Sequence, residues 1–175
     1  MRLLVILFSW VLLTGQAMAS NEKITYGFIE KATLVDKELV LSAKLDTGAN
    51  SASLHAKNIL VKTLNGKTYL SFIVPSKEGD IAFQCEYVGD VNIKVRAGEA
   101  QLNPLLRKKS ITRPVVLMRM KLGTQERSIR VNLTNRKRFI YPLLLGREAI
   151  LAFNGVIDPS LKYTLKPEKI INEVQ

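Results

Sequence analysis

One cysteine and one histidine stand among 175 residues, and these two scarcities exclude a good deal of chemistry. A disulfide cannot form within the chain. A zinc site built on His and Cys has only His55 and Cys85 to draw on, so carboxylates would have to supply the rest. A Ser-His-Asp or Cys-His enzyme would have to use His55 as its base. No Gly-rich loop of the G-x-x-x-x-G-K-[ST] type occurs, so nothing prepares the chain to cradle the phosphates of ATP. Helix-turn-helix, zinc-finger and RNP-type patterns are absent too, which leaves no support for a nucleic-acid partner. Repeats and low-complexity tracts are missing, and at 47% apolar residues the chain can build one core of ordinary size.

The first residues that are present read as an address. Arg2 supplies a positive start, Leu3–Leu13 is an apolar run broken only by Ser9, and Ala17-Met18-Ala19 has the small-x-small form of a cleavage site. Residues 1–19 are therefore expected to be a signal peptide, and residues 20–175 the mature domain, periplasmic or secreted. The run is short for a bilayer span, which sets an uncleaved anchor behind cleavage.

Beyond that point the sequence predicts strands. Ile24–Ile29, Glu38–Leu45, Ile81–Tyr87 and Val91–Val95 are short runs rich in β-formers. Asn58–Leu64 and Thr68–Val74 flank Asn65-Gly66, the strongest short hairpin signal. Arg113–Leu122 and Arg127–Leu133 flank Gly123-Thr124, with Val116, Met118, Met120 and Leu122 on one face and Ile129, Val131 and Leu133 on one face of the partner. Ala97–Thr112 has no clear period and reads as a long loop. One short helix is expected after Gly146, over Arg147–Phe153. The class is all-β with one short C-terminal helix.

Lys and Arg number 26 against 15 Asp and Glu, a net charge of +11. The excess is local: Arg107–Arg147 holds twelve basic residues and one acid, Glu126, while the rest of the chain balances at 14 each. Solvated strand faces account for such a run. The sharper reading is a footprint for an acidic peptide or an anionic envelope component.

Chemistry concentrates at Asp46-Thr47-Gly48-Ala49. The apolar strand Val40–Leu45 runs into a carboxylate and then a tight turn, where Gly48 allows close backbone approach and Thr47 can bond locally. Asp-x-Gly alone is an ordinary turn. Asp158 in Asp-Pro-Ser reads as a turn too, Cys85 as a packed thiol, and His55 as a hydrogen-bonded structural residue before a metal ligand or an orienting group.

Asp46-Thr47-Gly48-Ala49, with Ser53-Leu54 soon after it, resembles the active-site loop of retropepsin-like aspartic proteases. The segment Tyr141–Ile150, with Leu144-Leu145-Gly146-Arg147 at its centre, resembles that fold's second signature. A closer resemblance, over nearly the whole mature chain, is to the RimB-like family, also labelled an ATP-dependent zinc protease. It takes in Ala43–Ala49, Ser51–Ala56, Arg113–Val116, Asn132–Arg136, Leu144–Glu148 and Asp158–Ser160.

The resemblance implies a retropepsin-like acid-protease β-barrel in which Asp46 is catalytic and Thr47, Gly48 and Ala49 form its loop. Leu145, Gly146 and Arg147 would support that loop from behind, with no metal and no cofactor. An aspartic protease needs two carboxylates sharing a proton, so one Asp46 per chain implies a homodimer acting on a peptide or protein substrate. Two other readings stay open: a non-catalytic module binding peptides or acidic polymer, and an accessory subunit completed by another chain. Pro75–Thr112, where the flap should lie, departs from the viral flap.

Overall fold

The computed structural model describes residues 22–94 and 110–165. The expected signal segment 1–19 and nearly all of the expected loop 97–112 lie outside them.

The chain folds as an all-β barrel with one short helix. Its strands are β1 (Ile24–Gly27), β2 (Ile29–Leu34), β3 (Leu39–Leu45), β4 (Ala52–His55), β5 (Lys57–Leu64) and β6 (Lys67–Ser76). They continue as β7 (Gly79–Lys94), β8 (Ser110–Leu122), β9 (Gln125–Thr134) and β10 (Leu143–Leu145). Helix α1 (Arg147–Ala152) and β11 (Gly155–Asp158) follow. Strands β2, β3, β10, β4, β9 and β8 pair in that order, and β8 returns to β2 through Ala32–Leu122 and Leu34–Met120. That last pairing closes a ring, which removes two open edges.

Alternation decides which side faces in. Along β3, Leu39, Leu41, Ala43 and Leu45 are buried while Val40 and Lys44 are exposed. Val116, Met118, Met120 and Leu122 of β8 meet Ile129, Val131 and Leu133 of β9 in the core, the two faces that periodicity predicts. Each fully buried Leu or Met side chain contributes about 2 kcal/mol by leaving water. Phe153, just past α1, is fully buried in the core, and its carbonyl accepts the Tyr26 hydroxyl at 3.1 Å.

Strands β7, β6 and β5 extend the sheet away from the ring. The β5–β6 turn has Asn65 at φ 49° and Gly66 at φ 75°, the left-handed pair an Asn-Gly hairpin requires.

Three expectations differ. Ser110–Thr112, expected within the loop, are the first residues of β8 and pair with Asn92–Lys94 of β7. The strand expected over 24–29 is two strands, because the Phe28 N–H leaves the ladder for the Leu161 carbonyl at 2.9 Å. The C-terminal segment crosses there closely enough that a β-carbon at Gly27 would lie 2.6 Å from the Leu161 oxygen. The two strands expected over 81–87 and 91–95 are one, β7, bent by a bulge between Tyr87 and Asp90 where Gly89 has φ 112°. Its first half pairs with β6 and its second with β8.

Glu30 is a buried carboxylate, held by donors from both sides of that crossing. It accepts the Gly27 N–H at 2.8 Å, the Thr164 N–H at 3.0 Å, the Thr164 hydroxyl at 2.5 Å and the Leu165 N–H at 3.3 Å. Charge-assisted bonds of this kind offset the cost of burying it.

Candidate active site

Strand β3 delivers Asp46 to its loop by ladder bonds that run past the strand's end. The Leu45 N–H bonds the Phe28 carbonyl at 2.9 Å, and the Asp46 N–H bonds the Leu145 carbonyl at 2.8 Å. The chain then turns, with Ala49 N–H donating to the Asp46 carbonyl at 3.2 Å. Gly48 N–H donates to Asp46 Oδ1 at 3.0 Å, so the loop's own backbone orients the carboxylate. The side chain is 22% exposed, and Thr47 and Gly48 beside it face outward.

Strand β10 is threaded between the two sides of this loop. It pairs parallel with β3, Leu145 opposite Leu45, and antiparallel with β4, Leu144 opposite Ser53. Directly after it, a β-carbon at Gly146 would lie 2.6 Å from the Ser51 oxygen and 2.7 Å from the Asn50 oxygen. Only glycine lets the segments touch. The Arg147 N–H bonds the Ala49 carbonyl at 2.9 Å, while its guanidinium reaches the Thr47 carbonyl at 3.0 Å and Asn50 Oδ1 at 3.2 Å. Glu148 adds its N–H to the Asn50 carbonyl at 3.1 Å and accepts the Asn50 amide at 2.7 Å. The structure thus brings together Asp46, Thr47, Gly48 and Ala49 with Leu145, Gly146 and Arg147.

The other candidates fall elsewhere. Asp158 Oδ1 accepts the Ser160 N–H at 2.8 Å and the Ser160 hydroxyl at 2.6 Å, bonds that hold its carboxyl below the usual range. It caps its own turn. His55 Nδ1 accepts the Arg136 N–H at 3.0 Å, which makes it a fastener between β4 and the segment after β9. Cys85 is buried, and burial followed by Asp36 pushes its thiol up to about 11. Among the described residues, no group of three or more His, Cys, Asp or Glu is placed to hold a metal ion.

Sequence reasoning missed the cations around Asp46. Lys44 Nζ is 3.3 Å from Asp46 Oδ2. Arg136, only 6% exposed, donates from Nε to the Tyr141 carbonyl at 3.3 Å and stacks 4.4 Å from the Phe139 ring. Burial first, and the Arg113 charge next, push its guanidinium down to about 10, with Asp46 opposing both. Arg113 reaches Asn132 Oδ1 at 3.4 Å, and Asn132 in turn donates to Ser51 Oγ at 3.2 Å and to the Ala52 carbonyl at 2.5 Å. Arg113, Asn132 and Arg136 stand in the segments that carry the resemblance, but nothing local to Arg136 signals that its charge acts on Asp46.

Among the described residues, a cleft of about 590 Å³ lined by Leu39, Val40 and Tyr141 and another of about 640 Å³ lined by Leu60, Phe72 and Phe83 do not have Asp46 in their linings.

The family model described as "RimB-like: Retropepsin-like aspartic endopeptidase RimB" matches residues 25–168. A probable alpha-L-glutamate ligase of Shewanella pealeana is 31% identical over 129 residues, which are 71% of this chain and 26% of that protein. A probable alpha-L-glutamate ligase of Parasynechococcus marenigrum is 28% identical over 133 residues, 71% of this chain and 25% of its own length. The chain thus spans about a quarter of the length of these curated relatives. A crystal structure of a Legionella pneumophila protein of unknown function superposes with a TM-score of 0.71 at 54% identity, covering 83% of this chain and all of that one.

Proposed function

Because the chain belongs to the RimB-like family of retropepsin-like aspartic endopeptidases, we propose that two copies form a peptidase with one Asp46 from each. The observation that carries this reading is the loop itself. Asp46 is oriented by Gly48 N–H, backed by the Gly146 crossing, and flanked by the outward-facing Thr47 and Gly48.

Two carboxylates brought together across a two-fold axis cannot both ionise, so they share a proton. The ionised Asp46 takes a proton from water as that water attacks the scissile carbonyl. The protonated Asp46 of the second copy gives its proton to the carbonyl oxygen. Collapse of the tetrahedral intermediate then passes a proton to the departing amine and restores the pair. Thr47 bonds across the axis, and Gly48 lets the two loops approach. No metal or cofactor enters these steps.

In this reading the mature protein begins near Ser20 and works outside the cytoplasm on peptides or proteins. The basic segment favours acidic substrates or contact with anionic envelope components. The test is cleavage of a peptide library by the mature protein, read by mass spectrometry from about pH 3 to 8. Cut peptides that vanish with Asp46→Asn support it. Binding without cleavage at every pH replaces it with the non-catalytic module.

A further inference from the structure

The two oxygens of Asp46 sit in different surroundings. Oδ1 accepts the Gly48 N–H at 3.0 Å, whereas Oδ2 faces the Lys44 ammonium at 3.3 Å. Residues two apart on a strand leave the same face, so the pairing is built into the direction of β3 as it ends. Lys44 stands opposite Ile29 on β2 and Leu144 on β10, whose side chains offer it no acceptor.

Other charged groups on neighbouring elements have bonds of their own. Arg147, from α1, is turned to the Thr47 carbonyl and Asn50, and Glu148 is bound to Asn50. Arg113, from β8, reaches Asn132, and Lys31, from β2, donates to Ser42 at 2.9 Å. Arg136, after β9, acts on Asp46 through its charge while its Nε is bonded to the Tyr141 carbonyl. Lys44 Nζ itself lies in direct contact with the carboxylate, 3.3 Å from Oδ2.

We propose that Lys44 is a positioning residue that holds Oδ2 of Asp46 and sets the pH range over which the working carboxylates share their proton. The inference rests on the reading of Asp46 as half of such a pair. An adjacent ammonium favours the ionised carboxylate, so the proton is held less tightly than in a pair without cations. Each copy brings its own Lys44 to the axis. The lysine is 46% exposed, so water weakens the effect without removing it.

The experiment is a carbon-13 NMR titration of the mature protein labelled at the Asp side-chain carboxyls, with the Asp46 signal assigned by its loss in Asp46→Asn. Lys44→Met is expected to move the Asp46 midpoint up by about one pH unit, and Lys44→Arg to leave it near the wild-type position. The acid and alkaline limbs of any hydrolysis profile should rise together with that midpoint. A purely packing role for the lysine stem would be preserved by Met and would move nothing. Coincident midpoints in wild type and Lys44→Met, within about 0.2 pH units, overturn the inference. A shifted midpoint in a protein that cleaves no peptide upholds the Lys44–Asp46 coupling and defeats the peptidase reading instead.

Discussion

Gly146 and Asn50 touch backbone to backbone: a β-carbon at 146 would lie 2.7 Å from the Asn50 oxygen. The crossing cannot relax by sliding, since Arg147 N–H is bonded to Ala49 and Glu148 N–H to Asn50 on the same loop. Gly146→Ala is therefore expected to destabilise the fold by about 3 kcal/mol, at the upper end of overpacking costs. Urea unfolding measures it. A loss under about 0.5 kcal/mol would mean that the loop and β10 are not in contact in solution.

A pair made of one Asp46 from each copy fails whenever either copy lacks its carboxylate. Asp46→Asn keeps an oxygen for the Gly48 N–H, so the loop should stay folded. Equal mixing of variant and wild type, with exchange, should leave about a quarter of the activity by random assortment. Half the activity remaining would show that each chain works alone.

Much of this architecture was legible in short-range signals. Asn65-Gly66 announced its hairpin, and the β8 and β9 faces followed from alternation, because turns and pleats are set by neighbours in sequence. The Asp46 loop and the Gly146 crossing were legible through the family resemblance. Strands β4 and β11, four residues each, are too short to show a period. The β2–β8 pairing that closes the barrel joins residues far apart, which no local pattern encodes. Lys44 looks like the solvated position of a half-buried strand, and Arg136 like part of a solvated basic run. The first is in contact with Asp46 and the second is buried.

Glu30 joins the β1–β2 junction to the segment at 164–165 through four donors. Glu30→Ala strands those donors, three of them backbone N–H groups, and should cost about 3 kcal/mol or more. Glu30→Gln keeps acceptor capacity and should cost less. Hydrogen exchange at Gly27, Thr164 and Leu165 reads the change locally. Unchanged protection in Glu30→Ala would contradict the clip.

Cys85 should be inert in the folded protein. Its thiol is pushed up from 9.0 to about 11, chiefly by burial, so the folded state keeps a proton that the unfolded chain releases earlier. That contribution to stability is fully present below about pH 9 and is lost as pH rises through about 11. At pH 8, an aromatic disulfide reagent should react only as fast as the protein opens, and urea should accelerate it. Rapid reaction of the native protein would place the thiol at the surface.

Metal independence, pH and salt can be separated in one assay. A shared-proton pair predicts a bell-shaped profile on the acid side of neutral, and EDTA should leave it untouched. Within the basic segment several cations already have partners: Arg119 is paired with Asp36 and Glu126, Arg127 donates to the Ala152 carbonyl, and Arg130 to that of Val88. Lys137 and Arg138 remain exposed beside the buried Arg136. Any preference for acidic over neutral peptides should therefore be modest and carried through solvent. Raising salt from about 0.05 to 0.5 M shortens the screening length severalfold and should shrink that preference toward parity. Loss of activity in EDTA with recovery on adding zinc would replace the carboxylate pair by a metal mechanism. A preference that survives high salt would instead place the acidic side chain in direct contact with a buried cation, for which Arg136 is the candidate, and Arg136→Gln should then abolish it.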